Sequence, residues 1–339
     1  MSLNALASRI AADLVSRATP LGITTRTTES GTLLVDCGAK ATGSDAAGLG
    51  MAGVAMGGLG EVRLEPPHAS AGEIPDASRW NLPTVVVTSG SPVAACLASQ
   101  YAGWKMSQGG YFAMASGPVR ACIGREDLFD VLARSMGRDL RERCDHAVGV
   151  LESSKLPPDE VCRSLAEDAG VEPHRLVLLV ARTASRAGTL QVIARSLETA
   201  LHKLETLHFD LSRVVRGAGR APLAPVAKDD LAAIGRTNDA ILYGGEVVLE
   251  VTGDDASLAA IGPRTISAAS PSFGEPFVSL FEKAGGDFYA IDPALFAPAR
   301  IEFRNRDTGT SHRFGAVAPA IVAASFGVSA VDPDGIAGP

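Results

Sequence analysis

From Gln191 onward the chain runs for more than twenty residues without Gly or Pro, and no other stretch restricts its conformation as strongly. Apolar Leu190, Ile193, Leu197, Leu201 and Leu204 recur at helical spacing. Gln191, Arg195, Glu198 and His202 fall on a second stripe at i, i+4, i+7 and i+11, so a single helix would show all four on one face. The preceding residues, Arg182 to Gly188, are small and hydroxyl-rich and can bring backbone N–H groups close to a ligand. Two readings of the stripe stand side by side. In one, Arg195 and Glu198 form an ordinary i, i+3 ion pair on a solvated helix, worth a few tenths of a kcal/mol. In the other, a guanidinium keeps a neighbouring carboxylate ionised near neutral pH, and the carboxylate serves as general base toward water.

At 339 residues the chain is long enough for two domains of ordinary size. Its net charge of −7 and lack of a basic run exclude a nucleic-acid surface and a membrane-targeting basic segment. Aromatics make up only 5% while Gly reaches 36 residues, which suits close backbone packing more than an aromatic-lined interaction surface. Cys37, Cys96, Cys122, Cys144 and Cys162 are odd in number, far apart and without a CxxC, so the expectation is reduced thiols in a cytoplasm. The histidines form no HxH or HExxH, and no metal site is expected. The opening MSLNALASRIAADLV reads as an amphipathic helix with Arg9 and Asp13 inside it, not as a signal peptide. The longest apolar run, near 318–325, is too short to span a bilayer.

Helical and strand-like stretches alternate irregularly, giving an α/β or α+β chain. Helices are expected at 4–18, 92–104, 126–136 and 159–170, and strands at 32–38, 83–90, 120–124, 175–182 and 245–253. Residues 213–229, rich in Gly, Pro and Arg, read as a linker or surface loop. GLGMAG at Gly48–Gly53 satisfies the dinucleotide fingerprint and keeps a nicotinamide-dependent oxidoreductase open as an alternative. That reading needs a strand just before the first glycine, whereas KATGSDAA intervenes here. SGS at 89–91 and MASGP at 114–118 have the form of anion-cradling turns, or of simple turns.

The stretch ARTASRAGTLQVIARSLETALHKL (181–204) resembles the signature of methenyltetrahydromethanopterin cyclohydrolases. Similar stretches are TLLVDCGAK (32–40), QYAGWKM (100–106), YFAMASGPVRA (111–121) and GGDFYAIDPALFAPA (285–299), collinear over nearly the whole chain. Two departures stand out: Ala115 and His208, at positions where Gly is more usual. The resemblance implies two α/β domains with the active-site cleft between them, expected near 1–150 and 151–339, with the chain free to cross between lobes. It implies hydrolysis of a cationic methenyl bridge joining a pterin-ring nitrogen to an aryl-amine nitrogen. Glu198 would be the base, Arg195 its partner, and Lys105 a group that orients water; an ordinary surface lysine is the other reading of Lys105. Ser116, Gly117, Pro118, Thr183, Ser185 and Gln191 would bind substrate. The reaction changes no oxidation state, so no cofactor is expected. A pterin substrate, a homotrimer, and no nucleic-acid or membrane partner complete the expectation; a non-catalytic pterin-binding protein is a further alternative.

Overall fold

The computed structural model describes residues 2–68, 72, 74, 78, 80–287 and 290–328, which the chain distributes over two six-stranded sheets. It lays down β1 (Thr24–Thr27) and β2 (Leu33–Gly38) in the first sheet, then crosses for β3 (Gly60–Glu65) and β4 (Thr84–Ser89). It returns for β5 (Trp104–Gln108), β6 (Tyr111–Ser116), β7 (Ala147–Glu152) and β8 (Leu176–Ala181). The second sheet is completed by β9 (Val214–Pro222), β10 (Glu246–Val251), β11 (Arg300–Asn305) and β12 (Ser311–Gly315). The strand orders are β1-β2-β8-β7-β6-β5 and β12-β11-β10-β9-β4-β3. Parallel pairing is confined to β2–β8–β7 and to β10–β11. Both sheets carry helices, as an α/β chain requires. Residue 150 lies inside β7, and each sheet is visited twice.

The first sheet is covered on both faces. Ala7, Leu14, Met51 and Val54, from helices Leu3–Ser16 and Asp45–Ala55, pack on Val35, Val150 and Leu179. Val161, Cys162 and Leu165 of helix Asp159–Ala169 pack on Leu34, Ala113, Ala115 and Leu178. The second sheet shares one large core with Leu197, Leu201 and Leu204 of helix Ser196–Thr206. GLGMAG lies within helix Asp45–Ala55, where a Cβ on Gly48 would come 3.0 Å from the Cα of Ala187. The segment is a helix–helix packing surface and lacks the strand–turn–helix of a dinucleotide site.

Several expectations are corrected. The long helix from Gln191 is two helices, Arg186–Ile193 and Ser196–Thr206, parted at Ala194 and Arg195, whose ψ values are 0° and 7°. Residues 120–123 belong to helix Val119–Ile123, which Gly124 ends; a short apolar run has no periodicity that separates a strand from a helical turn. Residues 92–104 do not make one α-helix. Val93–Gln100 is wound wider, with Tyr101 N–H donating to Cys96 C=O at 2.7 Å, and Trp104 already begins β5. The expected linker at 213–229 contains β9, paired to β4 and β10. Its glycines serve close approach: a Cβ on Gly219 would lie 2.9 Å from Leu197 N. Cys122 and Cys144 are joined in a disulfide with Cα atoms 6.2 Å apart, while Cys37, Cys96 and Cys162 are free and buried. The wide spacing of the cysteines along the chain concealed that juxtaposition. Of the GGDFYAIDPALFAPA stretch, Phe288 and Tyr289 lie outside the described residues.

Candidate active site

The break between the two helices decides where Arg195 points. Ala194 N–H still reaches Leu190 C=O and Arg195 N–H reaches Val192 C=O, after which a new helix axis starts at Ser196. Ser196 and Leu197 lie against Gly217 and Gly219 of the second sheet. The Arg195 side chain crosses to the first sheet, so the junction stands between the two. Its guanidinium donates to Gln100 C=O, to Ser116 Oγ at 3.2 Å, to Gln191 Oε1 at 3.3 Å and to Glu152 Oε1 at 2.9 Å. Arg195 and Glu152 form a nearly dry ion pair, their side chains 7% and 16% exposed. Breaking such a pair by removing one partner costs about 3–5 kcal/mol, because the other charge is left buried alone.

Glu198 sits one turn into the second helix and is buried. Among the described residues no hydrogen bond or ion pair holds its carboxylate. The expected direct Arg195–Glu198 pair is therefore replaced by Arg195–Glu152, because the helix break turns the guanidinium toward β6 and β7. Burial pushes the Glu198 carboxyl up from 4.5 to about 7; Arg195 and Arg120 pull it down without overcoming burial, and Glu152 adds to the rise. Arg195 alone thus does not hold Glu198 fully ionised at neutral pH. A carboxyl near 7 is matched to accepting a proton at that pH.

Around Glu198 the walls are aromatic and cationic. Tyr101 stacks on His202 with ring centroids 4.7 Å apart. His202 is pushed down to about 4 by burial and by Lys203 and Arg120, so it stays neutral. The Arg120 guanidinium lies 5.1 Å from the Tyr101 ring centre and is clamped by both oxygens of Glu126, at 2.8 and 2.7 Å.

The residues singled out from sequence separate into groups. Arg195, Ser116 and Gln191 are in direct contact, and Glu198 follows on the next turn. Gln191 is wholly buried, with Oε1 spent on Arg195. Gly117 adopts φ 92°, and its N–H donates to Ser99 C=O. Pro118 C=O accepts from Asn4 Nδ2 at 2.8 Å. Thr183 C=O accepts from Thr189 Oγ1 at 2.9 Å, and Ser185 Oγ caps its own helix by accepting from Gly188 N at 3.0 Å. Lys105 is exposed on β5, in register with Met114, which is in turn in register with Glu152. Lys105 and Glu152 therefore share a sheet face about 10 Å apart at the backbone. Sequence reasoning missed Glu152, Arg120 and Tyr101 as members of the site. The signal for Glu152 was a carboxylate closing the apolar strand AVGVLE. Four buried polar atoms near Arg195 have no hydrogen-bond partner among the described residues: Gln100 Oε1, Gln191 Nε2, Arg195 Nε and Ser196 Oγ.

Elsewhere, a cavity of about 490 Å³ opens on the second sheet, lined by Gly58, Ser89, Gly90, Ser91 and Arg216 among others. None of these bonds to Arg195, and the Ser89 hydroxyl of the SGS turn is spent on Leu59 C=O and Ser91 N–H. Among the described residues there is no group of three or more His, Cys, Asp or Glu that could hold a metal ion, and no helix long and apolar enough to cross a membrane.

Fold and site together define an α/β chain with a buried carboxyl and a guanidinium set between two sheets. Residues 2–326 match the family described as Cyclohydrolase (MCH), and the chain belongs to that family. It is 42% identical to a methenyltetrahydromethanopterin cyclohydrolase of Methylobacillus flagellatus over 329 residues, covering 97% of this chain and 96% of that one. A protein of the same name from Methylobacterium sp. (strain 4-46) is 43% identical, with 96% and 97% covered. One from Methanococcoides burtonii is 34% identical, with 91% and 93% covered.

Proposed function

We infer that this chain hydrolyses the methenyl bridge of 5,10-methenyl-tetrahydromethanopterin to the 5-formyl derivative. Family membership supplies the substrate class, and one structural observation carries the chemistry: Glu198, buried near Arg195, takes up its proton at about 7. Water adds to the cationic amidinium carbon as Glu198 accepts one of its protons. The tetrahedral hydroxyl adduct then collapses. The bond from carbon to the aryl-amine nitrogen breaks, that nitrogen is protonated, the formyl group stays on the pterin nitrogen, and one proton is released overall. The carbon is already an electrophile and no electrons are transferred, so the reading requires neither a metal nor a redox cofactor.

Charge balance supports these roles. A cationic substrate is repelled by an isolated guanidinium, but the Arg195 charge is matched by Glu152. Arg195 then positions water and stabilises the adduct oxygen without opposing binding. In this reading Ser116, Gly117, Pro118, Thr183 and Ser185 frame the pterin, Gln191 acts through Arg195, and Lys105 borders the water side. The deciding measurement is the absorbance of the conjugated methenyl bridge with purified Glu198→Gln. Its turnover should fall roughly 100-fold or more, with the fold unchanged by circular dichroism. Near wild-type turnover would remove Glu198 as the base.

The same reading places the protein in the cytoplasm, supported by three free buried thiols, with Cys122–Cys144 as the exception. It also makes the chain a homotrimer closed by one repeated contact. Light scattering should then give three times the 34.9 kDa chain, about 105 kDa. A fully active monomer at micromolar concentration would reject the trimer.

A further inference from the structure

Hairpin β5–β6 carries an apolar ramp that leads outward from Arg195. At its inner end Ser116 is buried and bonded to the guanidinium. Side chains alternate along a strand, so Met114 and Phe112 share the face of Ser116. Tyr111, Ala113 and Ala115 point the other way, into the core against helix Asp159–Ala169. Exposure rises steadily along the site face: Ser116 is 1% exposed, Met114 is half-buried and Phe112 is 57% exposed. Phe112 is the most exposed large hydrophobic side chain among the described residues. Nor is it on a fraying end, since its carbonyl accepts from Ser153 Oγ at 2.9 Å and it pairs in register with Ser107.

We propose that Met114 and Phe112 form the subsite for the aryl group of an N-aryl tetrahydropterin, with Phe112 a specificity determinant outside the chemistry. The proposal rests on the hydrolase reading, which fixes the reacting carbon near Arg195 and Glu198 and attaches an aryl amine directly to it. Along β6, Met114 is about 7 Å and Phe112 about 14 Å from Ser116 at the backbone. A ring bonded through nitrogen to the reacting carbon therefore lies over Met114, with its far edge toward Phe112. A thioether and a phenyl face are the groups that favour an aromatic ring. Substrate binding would also cover the most exposed large hydrophobic side chain among the described residues.

The test is steady-state kinetics of Phe112→Ala and Phe112→Tyr with methenyl-tetrahydromethanopterin, each variant also weighed by light scattering. Phe112→Ala should raise KM about tenfold, corresponding to loss of part of one ring contact, with kcat within twofold of wild type. Phe112→Tyr, which keeps the ring, should restore KM. An unchanged KM in Phe112→Ala, or a fall in kcat alone, overturns the subsite. So does a change of mass in Phe112→Ala, which would make the side chain a contact between copies of this chain. Absence of turnover by the wild-type chain would instead sink the hydrolase reading, and the subsite with it.

Discussion

Glu198 is shaped by two opposing effects, and their balance has consequences for both rate and stability. Burial raises its folded pKa from 4.5 to about 7, so folding takes up a proton between those values. Its contribution to stability is greatest below pH 4.5 and is lost as pH rises to about 7. Glu198→Gln should therefore melt higher than wild type at pH 8 and alike at pH 4.5, even as it loses turnover. In the proposed mechanism the ionised form is the base, so wild-type rate should fall as pH drops through about 7. Glu152 tests this electrostatic account. Beyond Arg195, the charged groups acting on Glu198 are Arg120, which lowers its pKa, and Glu152, which raises it. Glu152→Gln removes the counter-ion of Arg195, so the acid limb of the pH–rate profile should move to lower pH while kcat drops about tenfold. A merely structural Glu152 would lower the melting temperature and leave the limb in place. The i, i+3 spacing of Arg195 and Glu198 was readable because it is local. The Arg195–Glu152 pair spans 43 positions and two elements, beyond the reach of any local pattern.

Elements whose apolar pattern is set by their own neighbours were legible: β2, β4, β8 and β10, and helices Asp127–Met136 and Asp159–Ala169. Those shaped by a distant partner were not. β9 looks like a linker because it is rich in Gly and Pro, yet Gly217 and Gly219 are there to admit Leu197 and Ser196. The break at Arg195 likewise has no Gly or Pro to announce it. The other end of that helix was marked in the sequence. His208 stands where Gly is more usual, and it adopts φ 57°, in the left-handed region. His208 N–H reaches Glu205 C=O and Phe209 N–H reaches Leu204 C=O, the hydrogen bonds of a glycine-favouring helix stop. A side chain there costs roughly 1–2 kcal/mol, part of which the greater freedom of an unfolded glycine offsets. His208→Gly should consequently stabilise the protein by about 0.5–1 kcal/mol without altering kcat. Calorimetry showing a lower melting temperature for the variant would contradict that account of the helix end.

At the scale of the molecule, the chain passes twice into each sheet, and the disulfide lies within its second passage through the first, between β6 and β7. Cys122 lies in helix Val119–Ile123, whose Arg120 supports Tyr101, and Cys144 lies just before β7, which ends at Glu152. The bond closes a loop of sequence separation 22 that contains helix Asp127–Met136. In the chain-entropy account a loop of that size contributes about 3 kcal/mol by restricting the unfolded chain. The three other cysteines are in a different condition: burial pushes the Cys37 and Cys162 thiols up to about 12, and Cys96 also well upward, so none is a ready thiolate. Reductant should therefore act on one bond alone. Oxidised wild-type protein should lose roughly 5 °C of melting temperature when reduced. A Cys122→Ser/Cys144→Ser variant should begin at the lower value and ignore reductant. Activity at 25 °C should hold within twofold, since neither cysteine touches Arg195 or Glu198. Alkylation after denaturation counts the thiols directly: three should react in the oxidised chain and five in the reduced one. Five reactive thiols in protein purified under air, with a melting temperature indifferent to reductant, would mean that Cys122 and Cys144 are neighbours without a bond.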